Sequence, residues 1–195
     1  MDPISAHLEA VKAICPEIDH AALEWYRSGL LLRKLPAKNM YIAEGQIQTE
    51  IAWVAEGLLR SAYTDPQGAD ITTHFVAEGQ WATEYASFLA GNASQYRLEC
   101  LEPCTLVCLT KEHMEEAYRR YPVFERYGRK VAEAVLSALQ KRIEGFLFLT
   151  AEQRYLQFMK ENPALMQRIS LTHLSASLGI ERPSLSRIRK RLSQQ

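Results

Sequence analysis

Residues 171–190 read LTHLSASLGIERPSLSRIRK, and a single glycine divides them into two segments with helical spacing. Gly179 suits a tight turn between two helices, because glycine enters the left-handed backbone region without strain. Ser175 is small enough to let the second helix approach the first. The apolar positions that would pack the helices together are Leu174, Leu178, Ile180, Leu185 and Ile188. The pattern predicts a helix-turn-helix.

The second helix of this motif contains most of its basic residues. Pro183 falls in the first turn, where its missing N–H costs nothing. With Leu185 and Ile188 inward, Arg182 and Arg187 lie in the N-terminal half, the part that enters a DNA major groove. Because an arginine there can bind guanine O6 and N7 together, we predict that both read bases. The residues predicted to contact phosphates are Ser170, Thr172, Ser184, Arg189, Lys190 and Arg191. The alternative for each single residue is a solvated surface position.

The charge of the chain is divided along its length, although 23 basic and 23 acidic residues balance overall. Residues 151–195 contain eight Lys or Arg and three Asp or Glu, a net charge of +5, which leaves −5 for residues 1–150. A basic end attracts polyanions and an acidic body is repelled by them. This division favours a nucleic-acid contact made by the C-terminal part alone, and a merely solvated terminal helix is the alternative.

A long helical segment precedes the motif. Thr110 suits the N-cap of residues 111–120, and Pro122 opens a run to Leu149 that is long for a globular helix. Apolar residues repeat in it by four and three, the a/d spacing of a coiled-coil seam, at Ala132, Leu136, Leu139, Ile143 and Phe146. A helix with so broad an apolar face needs two packing partners, which predicts a second copy of the chain as one of them. Packing wholly against its own domain is the alternative.

Residues 32–110 have the composition of short strands joined by turns. Turn glycines recur at intervals of 11 or 12 residues, at Gly45, Gly57, Gly68, Gly79 and Gly91. This rhythm is typical of a β-sandwich or β-barrel. The TDPQG segment at residues 64–68 predicts a type I turn that joins LLRSAY and DITTHFV in a hairpin, since Pro66 has the required φ.

The N-terminal part is predicted to be helical. Within residues 4–32, Leu23, Tyr26 and Leu30 lie at helical spacing as an apolar stripe. The first residues lack the basic flank and apolar run of a secretory signal, and no apolar stretch approaches the roughly 18 residues of a membrane span. We therefore expect a cytoplasmic protein without a membrane contact.

Cysteine and histidine placement argues against a metal site or catalysis. Cys15, Cys100, Cys104 and Cys108 include no C-x-x-C pair, which favours buried thiols in a reducing compartment, with a metal or redox cluster as the alternative. The five histidines are scattered, with His74 alone in the strand region. Because no G-x-S-x-G elbow or Cys–His arrangement is visible, we predict that the chain is not an enzyme and binds no metal.

A glycine-punctuated β-region, a long helix and a helix-turn-helix, in this order, resemble the Crp/Fnr family of bacterial transcription regulators over nearly the whole chain. The ending LGIERPSLSRIRKRL at residues 178–192 is similar to a short subgroup. The resemblance implies an α+β fold: a cyclic-nucleotide-binding-like β-roll of jelly-roll type with flanking helices over residues 1–120, a dimerisation helix over 121–149 and an all-α DNA-binding domain over 150–195. It also implies a homodimer that binds double-stranded DNA, with RNA polymerase as a further partner.

The sequence departs from the family's phosphate-binding cassette. In the cyclic-nucleotide members, a Gly-Glu pair is followed after a short loop by an Arg-Ser or Arg-Thr pair. Aligned without gaps, these pairs fall on Thr83 and Glu84 and on Ser94 and Gln95, so the glutamate is retained and the arginine is absent. A buried cyclic phosphate needs a cation to offset its desolvation, and Arg97 is two or three residues away in a strand. We therefore predict a regulator that does not respond to cyclic AMP.

Another small neutral effector has a candidate pocket, whose predicted lining is Trp81, Thr83, Glu84, Tyr85, Ser94 and Gln95. The alternative is that these side chains fill the space themselves. An iron–sulfur cluster of the Fnr type would need a group of N-terminal cysteines, where only Cys15 stands, so we predict no cofactor.

Two further alternatives concern the C-terminal helices. The family commonly continues past the recognition helix into a β-hairpin wing, which the sequence to Gln195 lacks, so binding is expected to be wingless or weak without additional contacts. The chain could instead be a dimeric module that senses a cyclic nucleotide or another small molecule and contacts a protein through these helices. A salt-dependent DNA affinity separates the two functions.

Overall fold

The computed structural model of the chain describes residues 1–194. Its α-helices are α1 Pro3–Ile14, α2 His20–Ser28, α3 Tyr85–Ala90, α4 Lys111–Arg120, α5 Val123–Phe148, α6 Ala151–Glu161, α7 Leu171–Ser177 and α8 Arg182–Leu192, with a 3₁₀ turn at Pro163–Leu165. Its strands are β1 Leu30–Leu35, β2 Met40–Ile42, β3 Glu50–Glu56, β4 Leu59–Thr64, β5 Asp70–Val76, β6 Trp81–Ala82, β7 Arg97–Cys100 and β8 Cys104–Thr110. The predicted α+β class is confirmed.

Within residues 1–194 the strands form two four-stranded sheets, in the orders β1-β8-β3-β6 and β2-β7-β4-β5. In the first sheet β8 lies antiparallel to both β1 and β3, so that Leu109 pairs with Leu30 on one side and with Ile51 on the other. In the second sheet β7 lies antiparallel to β2 and β4. Apart from the β4–β5 hairpin, strands that are adjacent in a sheet are not consecutive in sequence, and the topology is that of the predicted β-roll.

Two apolar clusters stabilise the roll. One lies against the first sheet and collects buried residues of α1, α2, α4 and the start of α5, among them Tyr26 and Phe124. The other consists of residues of both sheets, including Val54, Leu98 and Leu106. The two faces of the first sheet are therefore both covered, which explains why β3 and β8 read as nearly continuous apolar runs rather than as alternating ones.

Several local predictions are confirmed. The β4–β5 hairpin turns at residues 65–69, where the Gly68 N–H donates to Asp65 O at 2.9 Å and Gly68 has φ +84°. Thr110 is the N-cap of α4, and its side chain accepts from the His113 N–H. The long helix α5 begins directly after Pro122 and ends at Phe148.

The predicted helical stripe through Leu30 is wrong at its last residue. Helix α2 ends at Ser28 with Gly29 as its C-cap, and Leu30 is the first residue of β1. Pairing with Leu109 on β8 buries Leu30 in the sheet, and this tertiary contact outweighs the helical spacing of Leu23, Tyr26 and Leu30.

The packing divides the chain into two compact units, and the division falls within α5. The roll unit comprises Met1–Tyr63 and Phe75–Ala134, and the C-terminal unit comprises Thr64–His74 and the chain from Val135 onward. Phe124 and Tyr127 near the start of α5 are buried in the roll unit, whereas the second half of the helix belongs to the other unit. The domain boundaries predicted from the sequence, after residues 120 and 149, lie instead at the ends of α4 and α5. The assignment of a separate function to each predicted domain stays a prediction.

All four cysteines are buried free thiols, as the sequence predicts. Among residues 1–194, no cluster of three His, Cys, Asp or Glu side chains has an arrangement that could hold a metal ion. None of the helices in this described part of the chain combines the length and the apolar character that a membrane-spanning segment needs.

Candidate nucleic-acid interface and effector site

The helix-turn-helix is built from α7 and α8. Ser170 is the N-cap of α7, and its hydroxyl oxygen accepts from the His173 N–H at 3.1 Å. Gly179 has φ +61°, the left-handed conformation predicted for the turn, and the Ile180 N–H donates to Ser175 O at 2.9 Å. The apolar residues that join the two helices are buried: Leu174, Leu178, Ile180 and Leu185. The predicted motif is confirmed.

An arginine that sequence reasoning missed fixes the turn of this motif. Arg154 on α6 donates from Nε to Leu178 O at 2.9 Å and from Nη1 to Leu149 O at 2.8 Å. Its guanidinium lies over the Phe146 ring, 5.4 Å from the centroid. A Cβ atom at Gly179 would lie 3.0 Å from Cε1 of this ring, so the turn packs closely on Phe146. A lone arginine on an amphipathic helix gives no sequence signal for such a role.

Arg142 on α5 also contacts the Phe146 ring and a backbone carbonyl of the motif. Its Nη2 donates to Ser177 O at 2.8 Å, at the end of α7, and to Thr73 O in strand β5. The Arg142 guanidinium lies 5.1 Å from the centroid of the Phe146 ring. Phe146, predicted as a dimer-seam residue, therefore contacts two guanidinium groups that bind backbone carbonyls of the motif. Together they fix the position of α7.

The basic side chains of α8 are exposed. Arg182, Arg187, Arg189, Lys190 and Arg191 are all exposed, and Ser184 is half-buried. At about 100° per residue, Lys190 lies opposite the apolar face formed by Leu185 and Ile188, with Arg187 beside it and Arg182 about 80° away on its other side. Three of the predicted DNA contacts on α8 already have partners within the chain: Arg187 Nη2 donates to Ser184 Oγ at 3.1 Å, and Arg191 forms an ion pair with Glu152 of α6.

The phosphate-contact candidates outside α8 lie at the N-terminus of α7. Ser170 and Thr172 are both exposed. The Ser170 oxygen accepts a hydrogen bond in the cap, and a hydroxyl group can donate a second one. The exposed N-terminus of α7 and the basic face of α8 belong to one rigid motif, which is the arrangement that helix-turn-helix proteins use against a duplex.

The predicted dimer seam is uncovered in the single chain. Leu136, Leu139 and Ile143 expose 67%, 51% and 59% of their surfaces, and Ala132 and Phe146 are exposed as well. These side chains share one face of α5, where apolar exposure on this scale is rare in a protein that stays monomeric. The alternative in which α5 packs wholly against its own domain does not describe the structure.

Two residues of the predicted effector pocket, Thr83 and Glu84, form hydrogen bonds to neighbouring groups of the chain. Glu84 is the N-cap of α3, and its Oε2 accepts from the Ser87 N–H at 3.1 Å. The side-chain oxygen of buried Gln48 accepts from Thr83 Oγ1 and from the Glu84 N–H, both at 3.2 Å. Gln48 was not among the predicted residues, and it also lines a cleft of about 260 Å³ with Arg33, whose partner is Glu50.

The remaining pocket candidates are distributed between core, turn and surface. Ser94 is buried and its hydroxyl donates to Tyr96 O at 2.7 Å, while Gln95 is exposed. Trp81 packs into the first apolar cluster, and Tyr85 is nearly half exposed. Of these residues, Ser94 and Gln95 are the two onto which the ungapped alignment places the Arg-Ser or Arg-Thr pair of the cyclic-nucleotide members, and both are neutral.

Arg97, the nearest arginine, forms an ion pair with Glu44. It lies on β7 opposite Ala62 of β4. A phosphate bound beside Ser94 would therefore compete with a carboxylate for this guanidinium, and the described residues at 83–95 contribute no cation of their own.

Comparison with known proteins agrees with this architecture. The family model described as a cyclic nucleotide-binding domain matches residues 32–121, which contain most of the roll. Over 190 residues the chain is 20% identical to the cAMP-activated global transcriptional regulator CRP of Pasteurella multocida, covering 92% of this chain and 90% of that protein. The chain is therefore similar to Crp/Fnr-type transcription regulators in its cyclic nucleotide-binding-like domain and in its fold.

Solved structures of Crp/Fnr-type regulators have the same fold. FixK2 of Bradyrhizobium japonicum superposes with a TM-score of 0.72 at 16% identity, over 85% of both chains. The c-di-GMP responsive global regulator CLP of Xanthomonas campestris superposes with a TM-score of 0.71 at 15% identity, over 90% of this chain and 92% of that one. The chain shares its fold with both of these proteins.

Proposed function

We propose that the protein is a homodimeric transcription regulator that binds specific DNA sequences through α8 and does not respond to cyclic AMP. The observation that supports DNA binding is the exposed basic face of α8 on a motif whose turn is fixed by Arg142 and Arg154. Each α8 would enter a major groove, with half-sites about one helical turn (~34 Å) apart. RNA polymerase and an unknown small neutral effector are the further partners in this proposal, and the cytoplasm is its location.

The homodimer rests on the exposed apolar seam of α5. In a two-fold symmetric dimer, Leu136, Leu139 and Ile143 of one subunit would pack against the same residues of the other. The apolar a/d repeat of α5 would then form both sides of the interface. A dimer also gives two copies of α8, which a palindromic operator with two half-sites requires.

The lack of a cyclic AMP response is supported by charge. The phosphate of a buried cyclic nucleotide needs a charge-assisted partner, and the residues at the corresponding positions are Ser94 and Gln95. Glu84 and Thr83 are used in bonds to Ser87 and Gln48, respectively. Binding would therefore have to break internal bonds and leave the phosphate without a cation.

Selection of bound sequences from a random duplex pool tests the DNA-binding proposal. The purified protein is expected to enrich a palindrome, and the same one with and without cyclic AMP. Its affinity should fall steeply with salt, because phosphate contacts release counterions. A protein that enriches no sequence and binds without salt dependence would contradict DNA binding and favour a protein partner for α8. A site or affinity that changes with cyclic AMP would contradict only the effector part.

Substitutions on the exposed face of α8 are expected to separate base reading from phosphate contact. Arg187→Ala should relax base preference at one position in each half-site, at a cost of about 1–3 kcal/mol for the preferred base. Lys190→Ala should weaken binding to all sequences equally and reduce the salt slope by about one per half-site. Selection and titration of both variants measure the two effects, and equal outcomes would contradict the assigned roles.

A charge in the seam is expected to dissociate the dimer. Leu139→Glu places two carboxylates against each other at the interface and should raise the dimer dissociation constant at least about tenfold, because like charges there cannot be solvated well. Leu147→Glu is the matched control, since Leu147 is 70% exposed on the same helix but outside the a/d repeat. Sedimentation equilibrium measures both constants. A dimer that tolerates the first change as well as the second would place the interface elsewhere.

A further inference from the structure

The β4–β5 hairpin packs with the C-terminal unit, although its strands belong to a sheet of the roll. Strands β4 and β5 are neighbours at one end of the sheet with the order β2-β7-β4-β5. Residues 64–74, which include the turn and most of β5, nevertheless form one compact unit with the second half of α5 and the helices that follow it. The hairpin is therefore a continuous backbone connection between this sheet and the unit that contains the helix-turn-helix.

One guanidinium group links the hairpin to α7. The Nη2 group of Arg142 donates to Thr73 O in β5 and to the carbonyl of Ser177, the last residue of α7, the latter at 2.8 Å. An Nη2 group has two hydrogens, one for each of these carbonyls. Because a backbone carbonyl moves only with its strand or helix, a shift of the hairpin at Thr73 changes the bond that holds Ser177.

The surroundings of Arg142 restrict its guanidinium to this position. The group lies 5.1 Å from the centroid of the Phe146 ring, one turn later on α5. Burial lowers the pKa of Arg142, and hydrogen bonds from a charged donor are strengthened by partial removal from water. Phe146 in turn contacts the turn of the motif, since a Cβ atom at Gly179 would lie 3.0 Å from Cε1 of its ring. Hairpin, α5 and motif therefore meet at one arginine and one ring.

We propose that Arg142 couples the β4–β5 hairpin to the helix-turn-helix and is thereby a positioning residue for DNA binding. A displacement of Thr73 that weakens the bond to Ser177 loosens α7, and with it α8. A small molecule or protein that orders the hairpin would raise DNA affinity without touching α8, because it favours the arrangement in which both carbonyls are bound. The consequence for DNA rests on the function proposed for α8, whereas the link between hairpin and α7 does not.

Hydrogen–deuterium exchange of the full-length protein without DNA tests the link. Gly68→Ala strains the hairpin turn, because Gly68 has φ +84°. Gly79→Ala is the matched control: Gly79 has φ +81° and, like Gly68, no atom within 4 Å of a Cβ position, but it lies in the roll unit. We expect the amides of Leu174 and Leu178 in α7 to exchange at least about fivefold faster in Gly68→Ala and at the unchanged rate in Gly79→Ala.

Replacement of Arg142 tests whether this residue carries the coupling. Arg142→Met keeps an unbranched side chain and removes the charge and the donors, so Gly68→Ala should no longer alter exchange in α7 when the two changes are combined. Arg129→Met is the control on the same helix, since Arg129 pairs with Glu133 one turn away and both side chains are more than half exposed. Combined with Arg129→Met, Gly68→Ala should retain its full effect.

Affinity for the selected duplex tests the consequence for DNA. Arg142→Met should weaken binding about tenfold with the base preference unchanged, because α8 keeps its side chains and loses only its fixed position. Since coupling between two sites is reciprocal, bound DNA should also slow exchange in the hairpin.

The proposal is overturned if α7 exchanges alike in Gly68→Ala and Gly79→Ala. It is also overturned if the effects of Gly68→Ala and Arg142→Met on α7 add, because Arg142 would then only stabilise α7. A protein that binds no duplex but shows the expected exchange would contradict the function proposed for α8 and support the link between hairpin and motif.

Discussion

Replacement of Gly57 by alanine is expected to lower the free energy of unfolding of the roll unit by about 2–5 kcal/mol, because it combines backbone strain with overpacking. Gly57 has φ +106°, and a Cβ atom there would lie 2.6 Å from Pro103 O and 2.7 Å from Cys104 Sγ. The nearest atom belongs to the backbone of a turn that is fixed by its own hydrogen bonds, so it cannot move aside as a flexible side chain would. The cost therefore exceeds that of the left-handed conformation alone.

Gly79→Ala is the matched control for this prediction. Gly79 lies in the same unit with φ +81°, and a Cβ atom there has no neighbour within 4 Å. It should cost about 1–2 kcal/mol, the backbone strain alone. The three tryptophans, Trp25, Trp53 and Trp81, all lie in the roll unit, so denaturant unfolding followed by tryptophan fluorescence reports on this unit. Equal losses in the two variants would mean that the Pro103–Cys104 turn yields to a methyl group.

Acidification is expected to destabilise the roll unit through His7. His7 on α1 is fully buried, its Nε2 lies 3.1 Å from the Tyr26 hydroxyl, and its Nδ1 has no hydrogen-bond partner. The rings of Trp53 and Trp81 lie 5.1 Å and 5.2 Å from the His7 ring. Burial lowers the pKa of His7 to about 3, whereas the unfolded chain has the ordinary value of about 6.5.

The sign of the effect follows from proton binding. Between pH 6.5 and pH 3 the unfolded chain binds a proton at His7 that the folded chain does not, so stability is complete above pH 6.5 and falls as the pH is lowered. The loss is about 1.4 kcal/mol per pH unit, or about 3 kcal/mol at pH 4. Unfolding curves at several pH values measure it.

His7→Gln removes this dependence, because a glutamine amide can still bond to the Tyr26 hydroxyl and does not titrate. Exposed His20 offers the control, and His20→Gln should retain the pH slope of the unchanged protein between pH 6.5 and 4. Carboxylates are common to all three proteins and cancel in the comparison. A His7→Gln protein with the original slope would show that acid sensitivity arises from other groups.

The sequence alone determined the elements whose chemistry is local. Gly179 between two apolar repeats, Pro66 in TDPQG and the hydroxyl of Thr110 each fix backbone conformation within a few residues, and the structure has the predicted turn, hairpin and cap at these positions. The order of roll, long helix and helix-turn-helix follows from such signals, since each depends on spacing that the chain itself displays.

Only the tertiary structure decided which distant residues meet. Arg142 bonds to a carbonyl 69 positions away, His7 to a hydroxyl 19 positions away, and Leu30 joins a strand instead of continuing a helix. Such contacts depend on how whole layers of the fold pack together, because packing must leave few voids and few buried polar groups without a hydrogen-bond partner. This requirement involves residues that are distant in sequence, so it leaves no local sequence pattern.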